Sequence, residues 1–150
     1  FHSTAAADSD EKKQNRNKTI EFVRANGVNA FVDVFVPSLF YQQANPNIAR
    51  VYQMARGTSL ETLVAYSQAM RDRPSQEAWL KAFDNNFLIV AGDHDPLIPI
   101  NLLKQQSALA PKGTFCELPQ VGHMGMFEAP EKAIEAVRSF TFASFKDFQG

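Results

Sequence analysis

The fold of this chain is decided by the segment 87–96, which reads FLIVAGDHDP. Its first half, Phe87–Ala91, is a continuous apolar run of strand length, which predicts a strand buried on both faces of a sheet. Its second half, Gly92–Pro96, is rich in turn-forming residues and predicts a loop at the carboxyl end of that strand. Because such loops carry the functional side chains of parallel sheets, the two aspartates and the histidine of this loop are candidate site residues.

The sequence after this loop continues the alternation of helix and strand. Ile100–Leu109 is predicted to form a helix, Thr114–Leu118 a second strand, and Pro130–Phe148 a long amphipathic helix. Strand, helix, strand and helix in that order predict two parallel neighbouring strands joined by a right-handed crossover. The second strand is followed by Val121–Met124, so each predicted strand ends in a loop that contains a histidine.

The first 85 residues are predicted to be almost entirely helical. Acidic residues at Asp8–Glu11 favour the start of a helix, and Asn26-Gly27 supplies its C-terminal stop. The apolar stretch Val28–Phe40 contains Pro37, so we expect either a short helix broken at the proline or two turns. Further helices are expected from Pro46 to Gly57, from Ser59 to Met70, and after Pro74.

Composition limits the classes of partner. Lys and Arg (15) nearly balance Asp and Glu (16), and neither sign forms a block, so the chain has no charged surface expected for nucleic acid or an anionic membrane. No apolar run approaches the roughly 20 residues that span a bilayer. The single cysteine, Cys116, excludes an intrachain disulfide and lies in a predicted strand, where a buried structural thiol is the expectation.

Two motifs in the sequence resemble segments of the α/β-hydrolase family. Phe87–Pro99, in which Gly-x-x-Asp is followed by an apolar residue, is similar to the strand and loop that deliver the acid of the catalytic triad. Leu118–Met124, together with Glu128–Glu131, is similar to the histidine loop and the start of the last helix. The family's chain order is nucleophile, acid and histidine, and the matched residues Asp95 and His123 follow that order.

The resemblance implies an α/β fold, specifically the C-terminal part of the α/β-hydrolase fold. Residues 1–85 would be a helical lid or cap region, and residues 86–150 the last two parallel strands of the core with their helices. Phe1–Ala5, with Asp8, resembles the end of the strand that precedes such a lid. By its place near the start of the chain, His2 is expected to be exposed or frayed.

The resemblance also implies roles for individual side chains. Asp95 would be the catalytic acid, accepting a hydrogen bond from Nδ1 of His123, and His123 would take a proton from the nucleophile. Gly122 would let the histidine loop turn tightly. Leu97 and Met124 would line the pocket for the substrate, and no metal or cofactor is implied.

The sequence departs from the family's pattern because it has no nucleophile motif. None of its serines lies in a Gly-x-Ser-x-Gly turn, and no segment resembles the oxyanion-hole loop. Phe1 is preceded by neither an initiator methionine nor a signal sequence. We therefore expect a fragment, inactive alone, of a hydrolase that cleaves an ester-like bond in a small, largely apolar substrate.

The expected partners are a small-molecule substrate and a second copy of the chain, with no nucleic acid and no membrane. Without the preceding strands, the edge of Phe87–Ala91 would be unpaired, which predicts self-association through that strand. A cytoplasmic location is expected.

Other interpretations of the same residues stay open. Asp93 and Asp95 are both common turn formers after a strand, and we expect Asp93 to be only that and His94 to be an exposed loop residue. Asp93, His94, Asp95 and His123 together offer ligands suited to a divalent metal, but adjacent residues of a turn point in divergent directions. The rival function is a non-catalytic ligand-binding or protein-interaction module derived from the same fold.

Overall fold

The computed structural model describes residues 1–147, with side chains through residue 145. The described residues form two compact units, one of residues 1–5, 39–42 and from Glu77 onward, the other of residues 6–38 and 43–76. The predicted division into a lid and a core at residues 85 and 86 stays a prediction. The elements, in chain order, are α1 (Asp10–Ser38), α2 (Asn47–Arg56), α3 (Leu60–Asp72), α4 (Glu77–Ala82), β1 (Phe87–Gly92), α5 (Ile100–Leu109), β2 (Gly113–Leu118), α6 (Gly125–Glu128) and α7 (Pro130–Asp147).

The unit that contains Glu77 onward is built on a sheet of two parallel strands. β1 and β2 pair in a register that runs from Phe87 opposite Gly113 to Gly92 opposite Leu118. The connection between them contains α5, since parallel neighbours need a crossover. The predicted order of strand, helix, strand and helix is confirmed, and both strands end at the same edge of the sheet.

β1 is packed against apolar residues on both of its faces, as its uninterrupted apolar sequence predicts. Ile89 and Ala91 lie in one buried cluster with Leu103 of α5. Val90 lies in a second buried cluster with Leu118. Because successive side chains of a strand point to opposite faces, these alternate residues fix the two sides of the sheet.

The unit of residues 6–38 and 43–76 contains α1, α2 and α3. Gly27 interrupts α1 with φ 81° and ψ 164°, a conformation that glycine adopts readily, so the predicted stop is present as a kink. After Gly27 the chain forms a short helical segment that contains Pro37 and ends at Ser38, so the expected short helix is present and its end lies one residue beyond the proline. Ser59 caps α3 by accepting the N–H of Thr62 at 3.2 Å.

Two further differences concern the C-terminal elements. The single turn of α6, within the predicted histidine loop, was not among the predicted helices. α7 is described from Pro130 to Asp147. The predicted end of this helix, at Phe148, lies outside the described residues. None of the helices described between residues 1 and 147 combines the length and apolar character needed to cross a membrane.

Candidate active site

The loop after β1 places the carboxylate of Asp95 inside the protein, where its side chain is 0% exposed. Oδ1 accepts the backbone N–H groups of Leu97 at 2.8 Å and Ile98 at 3.0 Å. The Asp95 side chain therefore binds the backbone of the turn that follows it, as Asp side chains commonly do at turns. A buried carboxylate must be hydrogen-bonded or paired, and this turn supplies two of the bonds.

His123 binds the other oxygen of the Asp95 carboxylate. Its Nδ1 lies 2.8 Å from Oδ2 of Asp95. Because an ionised carboxylate only accepts hydrogen bonds, Nδ1 carries the proton of the neutral ring, and the lone pair is on Nε2. The His123 side chain is 22% exposed. The pair thus joins a fully buried acid to a base that solvent reaches.

The surroundings of Asp95 favour its ionised form. Burial raises the pKa of the Asp95 carboxyl, but hydrogen bonds from His123 and His2 outweigh burial and hold this pKa well below its ordinary value. Asp95 therefore stays ionised at neutral pH and can orient an imidazole and stabilise its protonated form.

The backbone of the histidine loop is held by residues distant in sequence. The N–H of His123 donates to the carbonyl of Leu39 at 2.7 Å. The carboxylate of Glu128, at the end of α6, accepts three further backbone N–H groups. The donors are Gly122 at 2.9 Å and Met124 at 3.2 Å, both to Oε1, and Tyr41 at 2.8 Å, to Oε2. Glu128 was not predicted as a site residue, although it lies in the segment Glu128–Glu131 that resembles the family.

Two glycines allow backbone segments to approach each other closely at this site. A Cβ on Gly92 would lie 2.3 Å from the carbonyl oxygens of Val121 and Gly122. A Cβ on Gly122 would lie 2.6 Å from the carbonyl oxygen of Leu39 and 2.7 Å from the amide nitrogen of Tyr41. The end of β1, the histidine loop and residues 39–41 are therefore in direct backbone contact.

His2 is buried, with only 5% of its surface exposed, so the expectation of an exposed or frayed residue is wrong. Its backbone N–H donates to the carbonyl of Val90 in β1 at 3.0 Å. Its Nδ1 lies 3.4 Å from Oδ2 of Asp95, and its Nε2 accepts the N–H of Gly125 at 3.2 Å. Because Asp95 is 93 residues away along the chain, no local pattern predicts this contact.

Asp93 and His94 also take part in the contacts between the two loops. Oδ1 of Asp93 accepts the N–H of Val121 at 3.2 Å and lies 2.7 Å from Nδ1 of His94. Burial raises the pKa of Asp93, but the hydrogen bond from His94 and the backbone bonds lower it overall. The exposed ring of His94 lies with its centroid 3.9 Å from that of Tyr41. Asp93 thus fixes the start of the histidine loop.

The two residues predicted to contact substrate adjoin this site in different ways. Leu97 packs against the buried cluster that contains Ile98 and Leu103. Met124 is half-buried and directly precedes α6. Each lies one or two positions from Asp95 or His123 in sequence, and their contact with substrate stays a prediction.

The described residues contain one arrangement with the donor atoms of a metal site. His2, Asp95 and His123 each offer a ligand atom, and these atoms lie within 4.8 Å of one another. Ligation through Nδ1 would require that both rings lose the proton that each directs at Asp95. In His2 that proton could not move to Nε2, because Nε2 already accepts the N–H of Gly125. The hydrogen bonds therefore suit an acid–base pair better than a cation.

Most of the chain matches a known protein family. The family model described as the alpha/beta hydrolase fold matches residues 10–130, which is most of the chain and includes both candidate loops. Among curated proteins, none matches the sequence at a significant level.

Several solved structures have a similar architecture. An esterase from Thermogutta terrifontis is 25% identical, with a TM-score of 0.86, over 95% of this chain and 54% of that chain. The enol-lactonase from Burkholderia xenovorans LB400 is 18% identical, with a TM-score of 0.79, over 94% and 54%. MenH from S. aureus is 17% identical, with a TM-score of 0.82, over 95% and 57%. The last two matches concern the fold alone, and this chain spans about half the length of all three.

Proposed function

Because this chain belongs to the α/β-hydrolase fold family, we propose that it supplies the acid, Asp95, and the base, His123, of a hydrolase that cleaves an ester-like bond. The observation that carries the proposal is the 2.8 Å contact between Nδ1 of His123 and the buried carboxylate of Asp95. This contact leaves Nε2 as the nitrogen that can accept a proton. The same pairing of a buried carboxylate and an imidazole operates in nucleophilic acyl transfer.

In the proposed mechanism, Nε2 of His123 takes the proton of a hydroxyl nucleophile as that nucleophile attacks the scissile carbonyl. The imidazolium that forms is stabilised by the ionised carboxylate of Asp95, 2.8 Å from Nδ1. His123 then returns the proton to the leaving alcohol, and a second round with water releases the acid. Asp95 need not change its protonation state at any step, in keeping with its lowered pKa.

The nucleophile is proposed to come from sequence outside these 150 residues. No serine of this chain lies in a Gly-x-Ser-x-Gly turn, whereas the related solved structures are about twice as long as this chain. We accordingly propose that the chain corresponds to the lid and the last two strands of a longer hydrolase and is inactive alone. The balanced charge of the sequence favours a neutral, largely apolar substrate, and Leu97 and Met124 are the proposed contacts to it.

The proposal is tested by p-nitrophenyl ester hydrolysis with the complete protein and its Asp95→Asn and His123→Ala variants. We expect each variant to lose about 10³–10⁴-fold in kcat. Tyr66→Phe is the control, since Tyr66 is 66% exposed on α3 and should leave the rate unchanged. Equal activity in wild type and both variants would overturn the assignment, whereas no hydrolysis above background in any of the three would favour the non-catalytic binding module.

A further inference from the structure

We propose that His2 is a positioning residue for the Asp95–His123 pair, so that one carboxylate oxygen is held by two imidazole rings. The expected effect of His2 on the reaction rate rests on the proposed function, whereas the contacts of His2 do not depend on it. Nδ1 of His2 lies 3.4 Å from Oδ2 of Asp95, the same oxygen that His123 contacts at 2.8 Å. The two rings meet edge to face, with centroids 5.6 Å apart.

The hydrogen bonds of His2 determine its tautomer. Nε2 accepts the backbone N–H of Gly125 at 3.2 Å, so this nitrogen carries the lone pair. The proton of the neutral ring is therefore on Nδ1, which directs it at Asp95. His2 thus bridges the acid loop to the first residue of α6, which follows the histidine loop. A Cβ on Gly125 would lie 2.3 Å from Nε2, so only glycine leaves room for the ring here.

The backbone around His2 is anchored at several points. Its own N–H binds the carbonyl of Val90, and the buried side chain of Gln106 accepts the N–H of Ala5 at 3.0 Å and exchanges hydrogen bonds with Thr4. His2 has φ 42°, a left-handed conformation that is unfavourable for a residue other than glycine. These bonds hold the ring in place in spite of that conformation.

The consequence for the site is that Asp95 has little freedom to rotate. Its carboxylate receives four N–H groups, two from the backbone on Oδ1 and two from imidazoles on Oδ2. Rotation about the terminal side-chain bond would break all four contacts. When His123 becomes an imidazolium, the carboxylate therefore stays where Nδ1 can bind it, and no reorganisation is needed. Removal of the His2 imidazole should therefore let the Asp95 carboxylate rotate more freely, and this effect requires no contact between His2 and substrate.

A spectroscopic experiment tests the geometry without any enzymatic readout. The chain has three histidines, so long-range ¹H–¹⁵N spectra resolve each ring. We expect His2 to carry its proton on Nδ1 with Nε2 as an acceptor, and we expect His2→Phe to shift the ring nitrogens of His123 but not those of the exposed His94. A proton on Nε2 of His2 would overturn the proposal, as would an unchanged His123 spectrum in the variant.

A kinetic experiment tests the positioning role in the complete protein. His2→Phe keeps a ring of similar size but removes both hydrogen bonds, and we expect kcat to fall about 10–100-fold with KM changed less than about 2-fold. His2→Asn keeps an N–H near the position of Nδ1 and should recover part of kcat. A fully active His2→Phe variant, or no recovery in His2→Asn, would overturn the role. Unchanged activity in Asp95→Asn would instead refute the proposed function, while the spectra would still decide the geometry of His2.

Discussion

Glu128 and Gly122 are joined by a hydrogen bond of 2.9 Å from the glycine N–H to Oε1 of the carboxylate. The histidine loop is thereby bound by the helical turn that directly follows it. The same carboxylate accepts the N–H of Tyr41, so it connects the loop to residues 39–42 as well. A single side chain thus holds the backbone on both sides of His123.

We expect Glu128→Ala to lower the free energy of unfolding by about 1–3 kcal/mol, because three backbone N–H groups lose a charged acceptor. Urea denaturation measures the change. Glu21→Ala, on the exposed face of α1, is the matched control and should stay within about 0.5 kcal/mol of the wild type. In the complete protein, kcat should fall as well, since the loop that carries His123 is released. Equal stability of the two variants would show that Glu128 does not hold the loop.

The close backbone contacts at Gly92 and Gly122 predict that alanine destabilises the fold more at these two positions than at Gly57. Gly92→Ala and Gly122→Ala would each place a Cβ within 2.6 Å of a carbonyl oxygen, so the backbone must shift and about 1–3 kcal/mol or more of stability should be lost. At Gly57 the nearest atom, the carbonyl oxygen of Met54, would lie at an ordinary 3.5 Å. Thermal unfolding of the three variants should therefore leave Gly57→Ala near the wild type. If all three melt alike, the close approach is not present in solution.

The lowered pKa of Asp95 predicts a stability difference that depends on pH. A carboxyl group whose pKa is lower in the folded than in the unfolded chain stabilises the fold above its unfolded value of about 3.9, and the stabilisation is lost as pH falls through the folded value. The difference in unfolding free energy between wild type and Asp95→Asn should therefore be largest near pH 6 and shrink below about pH 4.

Denaturant titrations at several pH values between about 3 and 6 measure this difference. Asp84→Asn is the control, because Asp84 forms an exposed ion pair with Lys112 that contributes little at any pH. A difference for Asp95→Asn that is constant across the range would contradict the assignment of Asp95 as a buried, ionised acceptor.

We expect this chain to self-associate through the edge of β1 at Phe87–Ala91. Within the described residues β1 has a strand partner only in β2, and its other edge carries the hydrogen bond from His2 to Val90. Light scattering should give a mass above that of a monomer at high concentration. Phe142→Ser removes an exposed apolar side chain of α7 and should leave association unchanged. Association through β1 would be contradicted if the wild type were a monomer at all concentrations. It would also be contradicted if the wild type associated and the Phe142→Ser variant did not.

Local sequence patterns were sufficient to predict the sheet and the two loops at its edge, and the resemblance to the α/β-hydrolase family singled out Asp95 and His123 within those loops. The apolar run of β1 and the turn residues after it are adjacent in sequence, and both strands of a parallel pair end at one edge. The two loops are therefore expected to meet, and the 2.8 Å contact between Asp95 and His123 agrees with that expectation.

Only the tertiary structure decided how this pair is held. The contacts of His2 with Asp95, of Leu39 with His123 and of Glu128 with Tyr41 each join residues far apart in the chain. Such contacts leave no periodicity in the sequence, because each depends on one side chain or carbonyl that meets a distant backbone group. The burial of His2 has the same origin, since its position near the start of the chain predicts exposure, whereas the hydrogen bonds to Val90, Asp95 and Gly125 enclose it. The sequence by itself indicated which residues are candidates for the proposed chemistry, and long-range packing decided which residues hold those candidates in place.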